Sequence, residues 1–358
     1  MRLALEARTL GMAGIGRFTE GLWGGLVETG LDVVGLTGTG SDDWRRVEGG
    51  FPGSVVPVNA RLFGVAEQVA VPRAIRRAAA DIYHSTHLTV PYLDRHPVVL
   101  TVHDLFPVKW PRHARSRAAA LYYRAMFPAA MRRAAAVVAV SPYTARMIQE
   151  VLPISEAKLH VVGHAVDHRR WSPATQEEVA PALAELGLTE PYLLYSGTAK
   201  WHKNLVTLID AYGPDLPPLV LAGPTLEELR QAAPKSASMP NVIPIGRVDD
   251  GPLRLLYAGA EALVLPSLHE SYAFSAVEAM ACRTAVVCSS GGCLPETVGG
   301  AGLMLPAEDV GAWREGLRRI VSDDALRASL AEAGRERVAA RTWRHVAEEY
   351  RLVYRLLD

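Results

Sequence analysis

The chain is poor in cysteine: Cys282, Cys288 and Cys293 are its only three among 358 residues. An odd number leaves no complete disulfide framework, and the spacings lack the C-x-x-C pairs of a structural zinc site. Reduced, mostly buried thiols in a cytoplasmic protein are the expectation. Net charge is missing too, with 38 basic residues against 38 acidic ones. Nothing in that total points to a nucleic-acid partner. Long apolar runs are absent. Met1 to Leu5 is followed at once by Glu6 and Arg8, which leaves no core for a signal peptide, and no stretch is long enough to cross a bilayer. A cytoplasmic protein is expected, with room left for peripheral contact at the inner membrane face. No Asp-x-Asp pair occurs, so no metal site is expected.

What the chain does contain is alternation. Its length exceeds one ordinary core and suits two domains, residues 1–170 and 171–342, followed by a terminal helix over 343–358. Strand-like apolar runs occur at 33–36, 54–57, 82–85, 98–102, 137–140 and 159–162, and helical stretches such as 71–80 and 116–135 lie between them. A second series starts at Tyr192, with strands at 219–222 and 242–246. Such alternation implies α/β architecture, parallel sheets with helices on both faces and functional residues just beyond the carboxyl ends of strands. Gly14 and Gly16 are read as a loop between the first strand and a helix from Phe18 to about Glu28. Their order is not the G-x-G-x-x-G of a dinucleotide fold, and no acidic residue stands where a ribose would need it. A nicotinamide enzyme is therefore disfavoured.

The stretch from Ala262 to Glu296 organises the second half. Ala262–Leu265 suits a buried strand that must turn at Pro266-Ser267. A helix is expected from Ser271, a good N-cap residue, with Phe274, Val277 and Ala281 on its apolar face. Glu270 then sits at the mouth of that helix and Glu278 about two turns inside it. The open N–H groups and dipole of a helix start favour a phosphate, and carboxylates nearby accept bonds from the hydroxyls of a sugar and a ribose. Farther upstream, Gly197 to Asn204 forms a loop that aims N–H groups and Lys203 at the start of a helix over 205–212. His103-Asp104 directly follows the strand at 98–102, which favours a site role over a merely structural one.

Ser267-x-x-Glu270-Ser271-aromatic, continuing to Glu278-Ala-x-Ala-Cys282, then Leu294-Pro-Glu296 with Gly299 and Gly302, resembles the donor-site signature of retaining GT-B enzymes of glycosyltransferase family 4. Val102-His-Asp-Leu-x-Pro107, Gly197 with Lys203-Asn204-Leu205, and the turn His164-Ala-Val-Asp167 are similar to further motifs of that family. The resemblance implies a GT-B fold, with two Rossmann-like domains facing a central cleft and the C-terminal helix crossing back to the first. It implies transfer of a hexose with retention from a nucleotide-diphosphate sugar, GDP-mannose or a UDP-sugar, to a glycan, lipid-linked or small-molecule acceptor. Neither metal nor cofactor would be required. On the same ground His103, Lys203 and Glu270 are candidate catalytic residues. Gly14, Gly16, Gly197, Asn204, Gly223, Arg247, Ser271, Tyr272, Ala273, Phe274 and Glu278 are candidate donor-binding residues, with Glu278 on the ribose. His84 and His87 are acceptor-side candidates.

Several positions depart from the family pattern. Ala273 and Arg283 stand where glycines are usual, Ala285 where a proline is usual, and the loop before Lys203 lacks an arginine. They motivate a second reading, a catalytically silent nucleotide-sugar binder. A sugar-nucleotide epimerase on the same fold is a third. Between Leu105 and Gln149 no acidic residue occurs, while Lys109, Arg112, Arg115, Arg117, Arg124, Arg132, Arg133 and Arg146 do. A helix there would carry Arg117 and Arg124 on one face. Such a surface over 109–133 suits an anionic lipid or acidic acceptor, and equally a plain solvated face. Oligomeric state has no signature.

Overall fold

The computed structural model describes residues 1–39, 54–88, 90–113, 116–189 and 191–357. The chain divides into two compact units: unit 1 is Met1–Ala165 with Thr342–Asp358, and unit 2 is Val166–Arg341.

Unit 1 is built on a seven-stranded sheet of β1 (Arg2–Glu6), β2 (Asp32–Gly38), β3 (Ser54–Val58), β4 (Ile82–Ser85), β5 (Val98–Val102), β6 (Ala136–Ala139) and β7 (Leu159–Val161). The spatial order is β3-β2-β1-β4-β5-β6-β7, and every pairing is parallel. Strands covered on both faces must be apolar throughout, and β4, β5 and β6 are buried at each position. The order reverses between β1 and β4. At such a switch point the adjoining loops part and leave a crevice beyond the strand ends.

The helix Trp343–Arg355 belongs to this unit. Thr342 caps it by accepting from His345 N–H, and Val346, Ala347, Tyr350, Val353 and Tyr354 make its buried stripe. It packs on the helix Ala13–Glu28, where two glycines permit close approach. A Cβ at Gly21 would lie 2.0 Å from the Trp343 ring, and one at Gly25 would lie 2.2 Å from the Trp343 carbonyl oxygen. A polar string ties the terminal helix to the sheet. Tyr354 Oη lies 2.7 Å from His84 Nδ1, His84 Nε2 lies 2.8 Å from Thr101 Oγ1, and Thr101 Oγ1 lies 2.9 Å from Tyr350 Oη. His84 therefore lies within β4, wholly buried, as a structural link. Its expected acceptor-side role is corrected. Burial and the neighbouring His103 push its imidazole down to about 3.

A buried ionic cluster marks the end of β1. Arg8 Nε donates to Glu6 Oε1 at 2.8 Å, Arg8 Nη2 lies 2.9 Å from Glu67 Oε1, and Tyr83 Oη donates to Glu6 Oε2 at 2.8 Å. Glu67 opens the helix Glu67–Arg77, which begins four residues before the expected start and carries Pro72 inside it. The helix Arg117–Arg133 keeps Arg117, Arg124 and Arg132 exposed beside Leu121 and Tyr122. Lys109, by contrast, is paired with Glu150, and Arg115 lies outside the described residues.

Unit 2 repeats the architecture with β8 (Leu193–Ser196), β9 (Leu219–Ala222), β10 (Val242–Gly246), β11 (Ala262–Leu265), β12 (Ala285–Ser289) and β13 (Leu303–Leu305), ordered β10-β9-β8-β11-β12-β13 and all parallel. Its switch point lies between β8 and β11. All three cysteines are buried thiols, with burial pushing Cys282 and Cys288 up to about 12. Among the described residues no helix is long and apolar enough to cross a membrane.

Candidate active site

In unit 2 the loops after β8 and β11, which flank the switch point, meet. Leu268 N–H donates to His202 O at 2.7 Å, and across this join Lys203 Nζ donates to Glu270 Oε1 at 2.6 Å. Ser267 Oγ adds a second bond to the same oxygen at 2.7 Å. Burial pushes the Glu270 carboxyl up, but the Lys203 ammonium and the Ser267 hydroxyl outweigh it and hold it below its ordinary value. The carboxylate is thus kept ionised in a largely enclosed place. His202 is lowered to about 4, by burial first and then by Lys203.

Backbone economy makes the enclosure possible. Gly291 and Gly292, in the turn after β12, press against the Glu270 loop. A Cβ on Gly292, at φ 62°, would lie 2.4 Å from Glu270 N and O, and Cys293 N–H donates to Glu270 O at 2.9 Å. Gly223, at φ 121°, crosses Gly197 so closely that a Cβ would lie 1.9 Å from the Gly197 oxygen. Gly197 N–H donates to Ala222 O and Gly223 N–H to Gly246 O, which brings the ends of β8, β9 and β10 side by side, with Arg247 exposed beyond them. Asn204 serves the scaffold. It adopts φ 55° and donates its side-chain amide to Pro266 O and Ala307 O at 3.0 and 2.7 Å.

The helix after Glu270 departs from expectation. It runs Phe274–Ala281, and its N-cap is Ala273 at φ 66° rather than Ser271. Ser271 and Tyr272 stay in the loop, where Thr297 Oγ1 donates to Tyr272 O at 3.0 Å and Tyr272 packs edge-on against Phe274. A left-handed residue cannot continue a right-handed helix, so the helix begins one residue later. Glu278 consequently sits about one turn inside, not two. It is buried, 1% exposed, and accepts from Tyr257 Oη at 3.3 Å.

The glycines of unit 1 are corrected similarly. The helix Ala13–Glu28 already includes Gly14 and Gly16, so the expected glycine loop before Phe18 is helical instead. A Cβ at Gly16 would fall 2.3 Å from Leu10 O, so this helix start requires glycine. His103 lies just past β5, its ring edge-on to Phe18 at 4.8 Å, with Nε2 3.0 Å from Thr86 O. Burial pushes its imidazole down to about 3. Beside it opens a pocket of about 160 Å³ whose walls include His87, Leu88, His103, Asp104, Tyr123 and Phe127. Gly291, Gly292 and Tyr123 are not among the sequence candidates, and Ser267 stands there only as part of the donor-site signature, with no role. A serine three before Glu270 and a Gly-Gly pair just after a strand were the available signals.

Two family models match in succession: Glycosyltransferase Family 4 over residues 12–170, and Glycosyl transferases group 1 over residues 180–337. The chain belongs to the family 4 glycosyltransferases. Among its relatives, alpha-maltose-1-phosphate synthase of Mycobacterium tuberculosis is 29% identical over 72% of this chain and 73% of its own length. O-antigen chain mannosyltransferase B of Escherichia coli is 29% identical over 79% and 76%. The fold is GT-B. Sucrose-phosphate synthase from Thermosynechococcus elongatus superposes with a TM-score of 0.83 at 22% identity, covering 100% of this chain and 99% of that one. Anabaena HepE in complex with UDP and glucose does so at 0.78 and 16%, covering 99% of each.

Proposed function

We propose that this glycosyltransferase moves a hexose from a nucleotide-diphosphate sugar to a hydroxyl group with retention of the anomeric configuration, without metal or cofactor. A GDP- or UDP-linked hexose is the donor, GDP-mannose first. The observation that carries this reading is the Lys203–Glu270 pair, 2.6 Å apart at the switch point of unit 2. As the glycosidic bond breaks, the departing diphosphate gains negative charge. A fixed ammonium and the N–H groups at the starts of the helices Leu205–Ala211 and Phe274–Ala281 stabilise that charge where it develops. Glu270 orients the hexose through its hydroxyls, and Glu278 is assigned to the ribose. The acceptor proton passes to the leaving phosphate, so no protein base is needed in the reacting line. His103 is proposed as a further catalytic residue. Support for a nucleotide donor also comes from HepE, solved with UDP-glucose, and for a mannosyl donor from the E. coli mannosyltransferase.

The test is nucleotide release from a panel of UDP-, GDP-, ADP- and dTDP-sugars, with and without EDTA, with the product anomer assigned by NMR. Release from one donor class, unaffected by EDTA and reduced about 100-fold or more in both Lys203→Ala and Glu270→Ala, is expected. Binding of a donor without release, even with acceptors present, would instead establish the silent binder. Conversion of the donor into another sugar nucleotide would establish the epimerase.

A further inference from the structure

Two donors reach the Glu270 carboxylate, and one of them belongs to a residue with no exposed surface. Lys203 Nζ and Ser267 Oγ both donate to Glu270 Oε1, at 2.6 and 2.7 Å. The side chains of Lys203 and Glu270 keep 16% and 11% of their surface open, whereas Ser267 is 0% exposed. Ser267 is itself held from behind. The strands β11 and β12 run parallel with Leu265 opposite Cys288, which brings Ser267 beside Ser289 at the carboxyl ends of both. Ser289 donates its hydroxyl to Ser267 O and accepts from Gly291 N–H at 3.1 Å. The same turn holds the far end of the loop, through the bond from Cys293 N–H to Glu270 O at 2.9 Å.

From this arrangement we infer that Ser267 is a positioning residue of the transfer reaction: its hydroxyl, on a backbone held by Ser289, sets the direction of the Glu270 carboxylate. The inference rests on the transferase reading. Being fully buried, Ser267 acts through Glu270 and not on a ligand. A lysine ammonium is a compact charge on a flexible stem with three rotatable donors, so alone it fixes distance better than direction. A hydroxyl on a held backbone gives the same oxygen a second, fixed direction. The carboxyl group then cannot swing partway about its Cγ–Cδ bond without losing both bonds, and a site group has to be held within about 10–20° of its productive geometry. Ionisation is set by the same contacts. Burial alone would raise the Glu270 carboxyl, and Lys203 and Ser267 outweigh it. Ser267→Ala removes one bond and leaves both backbone ties of the loop in place.

The experiment compares Ser267→Ala and Ser267→Cys with the parent in the full chain. Cysteine keeps nearly the shape of serine but is a weak donor, so it separates shape from hydrogen bonding. Nucleotide release is measured on the donor class that the parent turns over. The Glu270 carboxyl is titrated by NMR in protein carrying glutamate labelled with carbon-13 at Cδ, its signal assigned by its loss in Glu270→Gln. Ser267→Ala should lower kcat about 10- to 100-fold, the range for a hydrogen bond to a charged group, with KM for the donor changed about threefold or less. Its Glu270 midpoint should move up, because a donor to the charged form is gone, and the acid limb of kcat/KM should move up with it. Ser267→Cys should behave as Ser267→Ala does. Parental kcat in Ser267→Ala, a Glu270 midpoint that this substitution leaves in place, or parental turnover and titration in Ser267→Cys would each overturn the inference. A parent that releases no nucleotide from any donor sinks the transferase reading instead, and the titration then decides by itself whether Ser267 sets the Glu270 carboxylate.

Discussion

At the scale of single residues, the two ends of the helix Phe274–Ala281 hold side chains in conformations that glycine adopts more easily. Ala273 holds φ 66° and Arg283 φ 63°, one at each end of the helix Phe274–Ala281. A left-handed L-residue costs roughly 1–2 kcal/mol, and glycine's greater freedom in the unfolded chain offsets part of any gain. Ala273→Gly and Arg283→Gly are each expected to stabilise the fold by about 0.5–1 kcal/mol, read as a shift in urea midpoint at constant slope. Arg283 also pairs with Glu332, but both side chains are largely solvated, so that loss is small. The departure of these positions from the family's glycines is legible in the sequence, and so is the choice of Lys203 and Glu270 as site residues, but not that the two pair with each other. Not legible was the second bond on the Glu270 carboxylate, from Ser267, because it depends on how tightly the loop folds over Gly291 and Gly292. Nor could the sequence tell that His84 is enclosed by Thr101 and Tyr354, whose partner lies 270 positions away.

At the scale of elements, the strands are legible in the sequence because buried parallel strands are continuous apolar runs. Helix starts are less so. Ser271 has the chemistry of a cap but not the backbone, and Gly14 and Gly16 have loop chemistry but helical backbone. In both cases a tertiary contact overrules the local preference: Thr297 on Tyr272 O in one, Leu10 O against Gly16 in the other. The crossing of the helices Ala13–Glu28 and Trp343–Arg355 is an element contact sensitive to a single methyl group. Gly25→Ala should cost about 1–3 kcal/mol, since the obstacle is the Trp343 backbone and cannot rotate away. Gly24→Ala, which meets nothing within 4 Å, is the control and should gain helix propensity instead. Thermal unfolding of the two variants beside the parent checks both outcomes.

At the scale of the whole molecule, the cluster of Glu6, Arg8, Glu67 and Tyr83 gives the stability curve a pH dependence. Burial and the charge of Glu6 raise Glu67 to about 7, against the pull of Arg8. The folded chain therefore keeps a proton that the unfolded chain releases. Stability from this group is complete below the ordinary carboxylate value and is lost as pH rises toward 7. Glu67→Gln should flatten the urea midpoint between about pH 4.5 and 7, and a parent curve with no fall over that window would contradict the assignment. The division into units has a consequence for biosynthesis. Unit 1 needs the segment from Thr342 onward, yet that segment leaves the ribosome only after all of unit 2 has been made. Unit 2 is contiguous, whereas the sheet of unit 1 keeps its helix Ala13–Glu28 uncovered until the helix Trp343–Arg355 emerges.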